Sequence, residues 1–249
     1  MNSRIAQAIA LKNSPVAVLL TDTKPEGAAQ FKEGSQRGCS AAMLRAASDG
    51  RVVVFDRKTF GCPGGGTGLG FGNCYTGFAI DRLLSTGGTA ELPNGQVFDM
   101  GEGERFFDSP EAATRWAEAL PYRDVPTEFI VFKALDQVAE GEEVSLLLMF
   151  VNPDQLSALV TLAGFRRGGF NNTVAPWGAA CQSILFAFDE AASDNPRGVL
   201  GFFDISQRGK IDKELLSYTM PYSMYLEMES GVDDSFLKQH IWEKLRDRW

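Results

Sequence analysis

Four cysteines, Cys39, Cys62, Cys74 and Cys181, are the residues of this chain best suited to metal or redox chemistry. Between successive cysteines lie 22, 11 and 106 residues, so the compact Cys-x-x-Cys spacing of zinc and ferredoxin sites does not occur. Cys39 and Cys181 stand at predicted helix starts, where the helix dipole favours the thiolate form that binds metals. The cysteines therefore predict a thiolate metal site, and burial as small apolar side chains is the alternative for each of them.

Two of these cysteines enclose a glycine-rich segment, GCPGGGTGLGFGNC, in which seven of fourteen residues are glycine. A phosphate-binding P-loop needs a lysine directly after its glycines, and no lysine follows them before position 133. The glycine spacing also fails to match the Gly-x-Gly-x-x-Gly fingerprint of dinucleotide sites. The segment predicts a loop whose backbone approaches a ligand closely or adopts positive φ, with Gly64, Gly65 and Gly66 as cofactor-binding residues. A purely structural glycine loop is the alternative.

Few other residues are candidates for catalysis or ligand binding. The single histidine, His240, lies in a predicted amphipathic helix, so a histidine-based catalytic triad has little support. Arg208, in the segment SQRGK, is a candidate for binding the anionic part of a cofactor, with a solvent-facing arginine as the alternative. The acidic segments GEGE (101–104) and AEGEE (139–143) are interpreted as solvated loops. No catalytic residue is predicted, and whether the chain is an enzyme stays open.

Apolar runs and capping residues predict the elements that must position these side chains. Strands are predicted at 15–20, 51–55, 128–135 and 144–151, with the last two as neighbours, and GVLGFFDI and SYTMPYSMYLEM are interpreted as β-like. Helices are predicted at 2–12, after Cys39, from Cys74, after Ser109, after Asn152, after Cys181 and at the C-terminus. Strands and helices interleave irregularly, which predicts an α/β fold of the mixed α+β type. We expect a single domain, residues 1–249, with a mixed sheet flanked by helices.

The composition indicates a soluble globular protein. Apolar residues make up 44% of the chain, and its net charge of −8 argues against binding nucleic acid or an anionic membrane surface, which both attract basic proteins. The longest apolar run, 144–151, is shorter than the roughly 20 residues needed to cross a bilayer. No signal peptide is recognised, and four cysteines are too few for a disulfide scaffold, so a cytoplasmic location is expected.

Several segments along the chain form a recognisable combination: PVAVLL, a cysteine before a helix at position 39, GCPGGGTGLGFG, TGF, VFKAL, LLLMFVNPDQLSALV, AACQSI and SQRGKIDKELLSYTMP. This combination, over residues 15–221, resembles the DUF169 family of bacterial and archaeal proteins. The resemblance implies family cysteine positions at Cys39, Cys62 and Cys181, whereas Cys74 matches less clearly and the glycine run is longer than the family's. It also implies a soluble cytoplasmic protein of a family common in anaerobes, and it implies no reaction.

Two kinds of function are consistent with these residues. In the first, Cys39, Cys62 and Cys181 bind an iron–sulfur cluster, with Cys74 as a candidate fourth ligand, in a redox or small-molecule role. Its partner would be a small molecule or an electron-transfer protein. In the second, the glycine segment belongs to a noncatalytic site for a small molecule or an anion, and the cysteines are structural. Structural zinc is a third hypothesis, and the oligomeric state, including a homo-oligomer, stays open.

Overall fold

The computed structural model describes residues 2–35, 38–92 and 94–248. The strands in these residues are β1 (Val16–Thr21), β2 (Val53–Phe55), β3 (Thr89–Glu91), β4 (Val97–Asp99), β5 (Phe129–Ala134), β6 (Val144–Val151), β7 (Thr173–Val174), β8 (Gly198–Gly201) and β9 (Leu216–Pro221). The α-helices are α1 (Arg4–Ala8), α2 (Ser40–Ser48), α3 (Pro63–Gly68), α4 (Ile80–Leu84), α5 (Pro110–Glu118), α6 (Pro153–Gly164), α7 (Gln182–Ala191), α8 (Tyr222–Ser230) and α9 (His240–Arg246). Short 3-10 helices cover Leu135–Gln137, Ile205–Lys210 and Phe236–Lys238.

The main sheet is mixed, which confirms the predicted fold class. In the described ranges it has seven strands in the order β2-β5-β1-β6-β9-β8-β7. Only the pair of β7 with β8 is parallel among these neighbours. The predicted pairing of β5 with β6 is wrong, because β1 lies between them, with Val16 opposite Ala134 on one side and Leu148 on the other. The first four residues of β1 are buried, so this apolar strand occupies the centre of the sheet, where both faces are covered.

Each face of the sheet carries its own hydrophobic core, because alternate residues of a strand point to opposite faces. On β1, Ala17 and Leu19 join the core that includes α6 and α8. Val16 and Val18 join the core that includes α2 and α7. The second face positions the cysteines, since α3 also packs there against α7.

Several helix signals of the sequence are confirmed. The side chain of Ser109 caps α5 by accepting a hydrogen bond from a first-turn amide, and Asn152 caps α6 in a capping box with Gln155. The helices predicted after Cys39 and Cys181 are α2 and α7. In the described parts of the chain, no helix has both the length and the apolar character needed to cross a membrane.

Some predicted boundaries are wrong. The segment SYTMPYSMYLEM is not β-like throughout, because β9 ends at Pro221 and a helix starts at Tyr222; proline cannot donate to a strand ladder but suits a helix start. Cys74 does not begin a helix, since turns that include Gly77 at φ +82° come before α4. The N-terminal helix is shorter than predicted, because Ala10 adopts a left-handed φ of +50°.

Residues 72–92 and 94–123 lie between β2 and β5 outside the main sheet, and we call them the cover. Two backbone hydrogen bonds close its base: Gly72 N donates to Arg123 O at 2.9 Å, and Val125 N donates to Gly70 O at 2.8 Å. The cover contains α4, α5 and the β3–β4 hairpin, whose strands pair with each other rather than with the main sheet. It lies against the N-terminal ends of α2, α3 and α7, and residues of the cover and of these helix ends line one cavity.

Candidate functional site

The cavity under the cover has a volume of about 450 Å³ and is lined by Cys39, Cys62 and Cys181, so we call it the thiol cavity. Most of its other lining residues are apolar or aromatic. The remaining polar lining residues are Ser40, Tyr75, Glu104, Asp204, Ser206, Gln207 and Lys210. A volume of this size, with a few polar groups in an apolar wall, is typical of small-molecule sites.

Each of the three cysteines is the N-cap residue of its own helix. Cys39 precedes α2, Cys62 precedes α3 and Cys181 precedes α7. Cys62 Sγ accepts a hydrogen bond from Gly65 N at 3.3 Å, so an amide of the glycine segment does reach a cysteine sulfur. Because a helix start carries free N–H groups and the positive end of the dipole, the longer helices α2 and α7 favour negative charge on sulfur at this cavity.

Two of the cavity thiols donate hydrogen bonds to oxygen atoms. Cys39 Sγ donates to Gln207 Oε1 at 2.9 Å, and Cys181 Sγ donates to Gly64 O at 3.1 Å. Gly64 also lies beside Cys62, since a Cβ built on Gly64 would be 3.9 Å from Cys62 Sγ. The backbone of one glycine thus contacts two of the three sulfurs.

Burial raises the pKa of the Cys62 thiol above its ordinary value, while the amide of Gly65 acts in the opposite direction and the nearby Cys39 adds to the rise. Burial also raises the pKa of the Cys181 thiol, with the charge of Cys62 adding to the rise and a hydrogen bond with Ser40 opposing it. Both thiols are therefore neutral at neutral pH unless a cation pairs with them.

The buried thiols should make the free energy of unfolding depend on pH. A thiol whose pKa is raised by folding stabilises the folded chain below its unfolded pKa of about 8.5, and this stabilisation is lost as the pH rises further. Urea unfolding between pH 7 and pH 10 should show a fall in the free energy of unfolding, and Cys181→Ala should make that fall shallower. An equally steep fall in a folded Cys181→Ala variant would contradict the burial of a neutral thiol at this position.

Aromatic side chains from the cover and from the segment before α7, which we call the aromatic wall, line another side of the cavity. The ring centroids of Trp116 and Trp177 are 5.3 Å apart, and Trp116 Nε1 donates to Trp177 O at 3.2 Å. Phe106 packs against Trp177 at 5.4 Å. The hydroxyl of buried Tyr75 accepts a hydrogen bond from Gln182 Nε2 at 3.0 Å. These contacts hold the rings in fixed positions and give the cavity an apolar side.

Two acidic residues of the cavity, Glu104 and Asp204, were missed by the sequence analysis, and the interpretation of GEGE as a solvated loop is wrong for Glu104. Burial, and then the charge of Asp204, raises the pKa of Glu104. The backbone beside each acid is strained, because Arg105 (φ +56°) and Phe202 (φ +66°) are left-handed without being glycine. Such strain is concentrated at functional sites. No local sequence signal marks these positions, since the fold imposes the conformation.

Two predicted site residues, Cys74 and Arg208, are not among the residues that line the cavity. Cys74 Sγ donates to a backbone carbonyl at 3.4 Å, and its sulfur lies against Gly66. The guanidinium of Arg208 donates to the carbonyl oxygens of Leu215 at 2.6 Å and Lys213 at 2.9 Å, so it stabilises the conformation of the segment that follows it. The structure therefore brings together three of the four cysteines.

The glycine run forms a helix, so the predicted loop is wrong. Gly64, Gly65 and Gly66 are helical residues of α3, which has a proline at its first position. Left-handed glycines stand on either side of this helix, at Gly61 (φ +89°) and Gly70 (φ +88°). Of the three predicted cofactor-binding glycines, Gly64 is the one that lines the cavity.

Close packing explains why α3 is built from glycine. A Cβ on Gly66 would lie 2.6 Å from Cys74 Sγ, and a Cβ on Gly68 would lie 2.8 Å from both Sγ and the carbonyl carbon of Cys181. Real Cβ atoms do not approach this closely. Gly64 differs, because the nearest atom to a Cβ there would be 3.5 Å away, an ordinary contact. The glycines of α3, Gly68 above all, thus allow it to pack directly on the start of α7.

Within residues 2–35, 38–92 and 94–248, no group of three or more His, Cys, Asp or Glu side chains is positioned to hold a metal ion. The thiols of Cys39 and Cys181 point to their hydrogen-bond acceptors, Gln207 and Gly64. Ligation of a metal at this cavity would therefore require these two side chains to turn.

The fold and the site define a mixed α+β protein with a cavity lined by three N-cap cysteines. The chain belongs to the DUF169 family, described as uncharacterised ArCR, whose family model matches residues 4–231. This match confirms the resemblance that the sequence segments indicated. No curated protein and no solved structure matches the chain.

Proposed function

We propose that this protein holds a thiolate-bound metal cofactor, specifically an iron–sulfur cluster, in the thiol cavity and binds a small molecule beside it. The observation that supports this proposal is the position of Cys39, Cys62 and Cys181, which are far apart in sequence and line one cavity. Cysteine thiolates are the usual ligands of such clusters. Three of them would leave one iron of a four-iron cluster free for the small molecule.

The charges of the site fit a cationic cofactor. Burial raises the pKa values of Cys62 and Cys181, so these sulfurs would ionise only when a metal supplies positive charge. The helix starts of α2 and α7, and the amide of Gly65, would then donate to sulfur, as amides commonly do around clusters. Cys39 and Cys181 would exchange their present hydrogen-bond acceptors for the metal.

Iron and sulfide analysis of the anaerobically purified protein tests this proposal. We expect iron and acid-labile sulfide in similar amounts, with absorbance near roughly 400 nm that dithionite bleaches. A colourless protein without iron, both as purified and after reconstitution with iron and sulfide, would overturn the proposal. Zinc in place of iron, with unfolding on chelation and no redox signal, would overturn it in favour of a structural metal.

A second candidate function is noncatalytic binding of a small molecule without a metal. The aromatic wall around Trp116 and Trp177 favours it, together with a cavity volume that suits an organic ligand. In this case Cys39→Ser and Cys62→Ser should fold normally and keep the thermal stabilisation that a ligand gives. Mass spectrometry of the denatured, metal-free protein would then detect a copurified small molecule.

A further inference from the structure

Two acidic side chains line the thiol cavity without a cationic partner. Asp204 is only 6% exposed, and Glu104 is half-buried. Within residues 2–35, 38–92 and 94–248, neither carboxylate forms an ion pair. Buried carboxylates are usually paired, because removing an unpaired charge from water is costly. The two acids therefore leave a place for a cation that the chain itself does not supply.

The side chain of Ser206 lies between the two acids. Its hydroxyl donates to Asp204 Oδ1 at 2.7 Å, and it is also a hydrogen-bond partner of Glu104. Asp204 Oδ1 accepts a second hydrogen bond, from Ser206 N at 3.0 Å, whereas Oδ2 accepts from Ala180 N at 3.4 Å. A carboxylate oxygen has two acceptor positions, so Oδ2 keeps one of them. Both acids can therefore face one cation in the cavity.

The aromatic wall is a second feature that attracts cations. The ring planes of Tyr75 and Trp116 are inclined to each other by 52°, and those of Trp116 and Trp177 by 60°. Phe106 is inclined to Trp177 by 67°. The rings thus surround a space instead of forming a flat stack. Aromatic rings attract cations over their faces, and several rings around one space form the cages that recognise organic ammonium groups.

The other charges of the cavity do not reverse this preference. Lys210 is the basic residue among the described lining residues, and it is exposed. The positive ends of α2 and α7 lie at Cys39 and Cys181 and would favour thiolates there. A metal bound by the three cysteines would be offset by their thiolates, so it would not neutralise the two acids as well. The acidic and aromatic side of the cavity therefore stays available to a cation.

We propose that the small molecule of the thiol cavity is an organic cation, an ammonium group attached to an apolar body. The ammonium group would lie between Glu104 and the aromatic wall, with Asp204 as a further acceptor. The apolar body would contact Ile80 and Leu83 of α4, which also line the cavity. This inference rests on the part of the proposed function in which the cavity binds a small molecule, and it opposes the anionic ligand that the sequence left open.

Three probes of similar shape and different charge test this inference: benzylammonium, benzyl alcohol and benzoate. Their dissociation constants are measured at neutral pH by titration calorimetry on the anaerobically purified protein. We expect benzylammonium to bind about tenfold more tightly than benzyl alcohol, because a hydrogen bond between charged groups contributes roughly this factor. Benzoate should bind most weakly, since the two acids repel it.

Three variants locate the preference within the cavity. Glu104→Gln removes one negative charge at almost constant shape, so it should weaken benzylammonium binding about tenfold and leave benzyl alcohol unchanged. Glu102→Gln is the matched control, because it makes the same change in the same segment at an exposed residue that is not among the lining residues. Lys210→Gln removes an exposed positive charge and should strengthen benzylammonium binding about two- to fivefold.

A preference for benzylammonium that Glu104→Gln reduces and Glu102→Gln keeps supports the inference. Equal binding of the ammonium and the alcohol, tighter binding of benzoate, or no binding of benzylammonium at millimolar concentration overturns it. If Glu104→Gln does not fold, Lys210→Gln decides, since unchanged or weaker binding in that variant also overturns it. The iron analysis is separate: an iron-free protein that prefers benzylammonium overturns only the proposed cofactor, and an iron-containing protein without this preference overturns only the inference.

Discussion

Replacement of Cys39, Cys62 or Cys181 by serine is expected to remove most of the iron from the anaerobically purified protein. Each cysteine supplies one of three thiols at the cavity, and a serine hydroxyl does not ionise near neutral pH as a metal-bound thiol does. Since loss of even an outer-shell partner lowers metal affinity about 10- to 100-fold, we expect loss of a ligand to lower the affinity by at least that factor and the iron per chain to fall. The measurement is iron and sulfide per chain, together with the absorbance of the cluster.

Cys74→Ser is the matched control for these variants. It makes the same chemical change in the same chain, but Cys74 is not among the residues that line the cavity. We expect it to keep the iron content of the unaltered protein. An equal loss of iron in Cys74→Ser, or full iron in a variant of any of the other three cysteines, would contradict the assignment of ligands. Urea unfolding of every variant separates the loss of a ligand from the loss of the fold.

Two alanine substitutions in α3 are expected to change stability in opposite directions. Gly68→Ala places a Cβ 2.8 Å from the sulfur and the carbonyl carbon of Cys181, so α3 and α7 must move apart. Overpacking of this kind costs about 1–3 kcal/mol. Gly64→Ala makes only ordinary contacts and has no positive φ, so the loss of unfolded-chain entropy should stabilise the protein by about 0.4–1 kcal/mol. Urea unfolding of the metal-free protein measures both.

The Gly68→Ala variant also tests whether the packing of α3 on α7 positions the cysteines of the cavity. Displacement of the start of α7 moves Cys181 relative to Cys62, so Gly68→Ala should lower the iron content even in preparations that are fully folded. Gly209→Ala is the control for the entropic gain alone, since a Cβ there meets nothing within 4 Å and its φ is not positive, so it should stabilise the protein about as much as Gly64→Ala. A Gly68→Ala protein as stable as the unaltered chain would show that α3 does not pack on α7 as closely as the structure indicates.

Local signals made parts of the fold predictable. Ser109 and Asn152 cap helices through contacts within one turn, so their own sequence neighbourhoods are sufficient to identify those helix starts. The strand β1 was likewise predictable from its run of buried apolar residues. Its place between β5 and β6 was not, because two sequence neighbours pair by default and only the packing of both sheet faces selects a central strand.

In the candidate site, too, some residues could be predicted from local sequence and others only from tertiary contacts. The sequence indicated all four cysteines, since each stands at a predicted helix start or in the glycine segment, and three of them line the cavity. It did not indicate Asp204 or Gln207, whose roles depend on the left-handed backbone at Phe202 and on contacts with distant elements.

By itself, the sequence determined the fold class, several helix starts and four candidate cysteines, three of which line the cavity. These features arise from the character of residues and from contacts within a few positions of the chain. Only the tertiary structure decided that Cys74 does not line the cavity, that the glycine run is a helix packed on α7, and that the cover lies over the site. The physical reason is that these outcomes depend on close approach between segments far apart in sequence, which the packing of the whole chain decides.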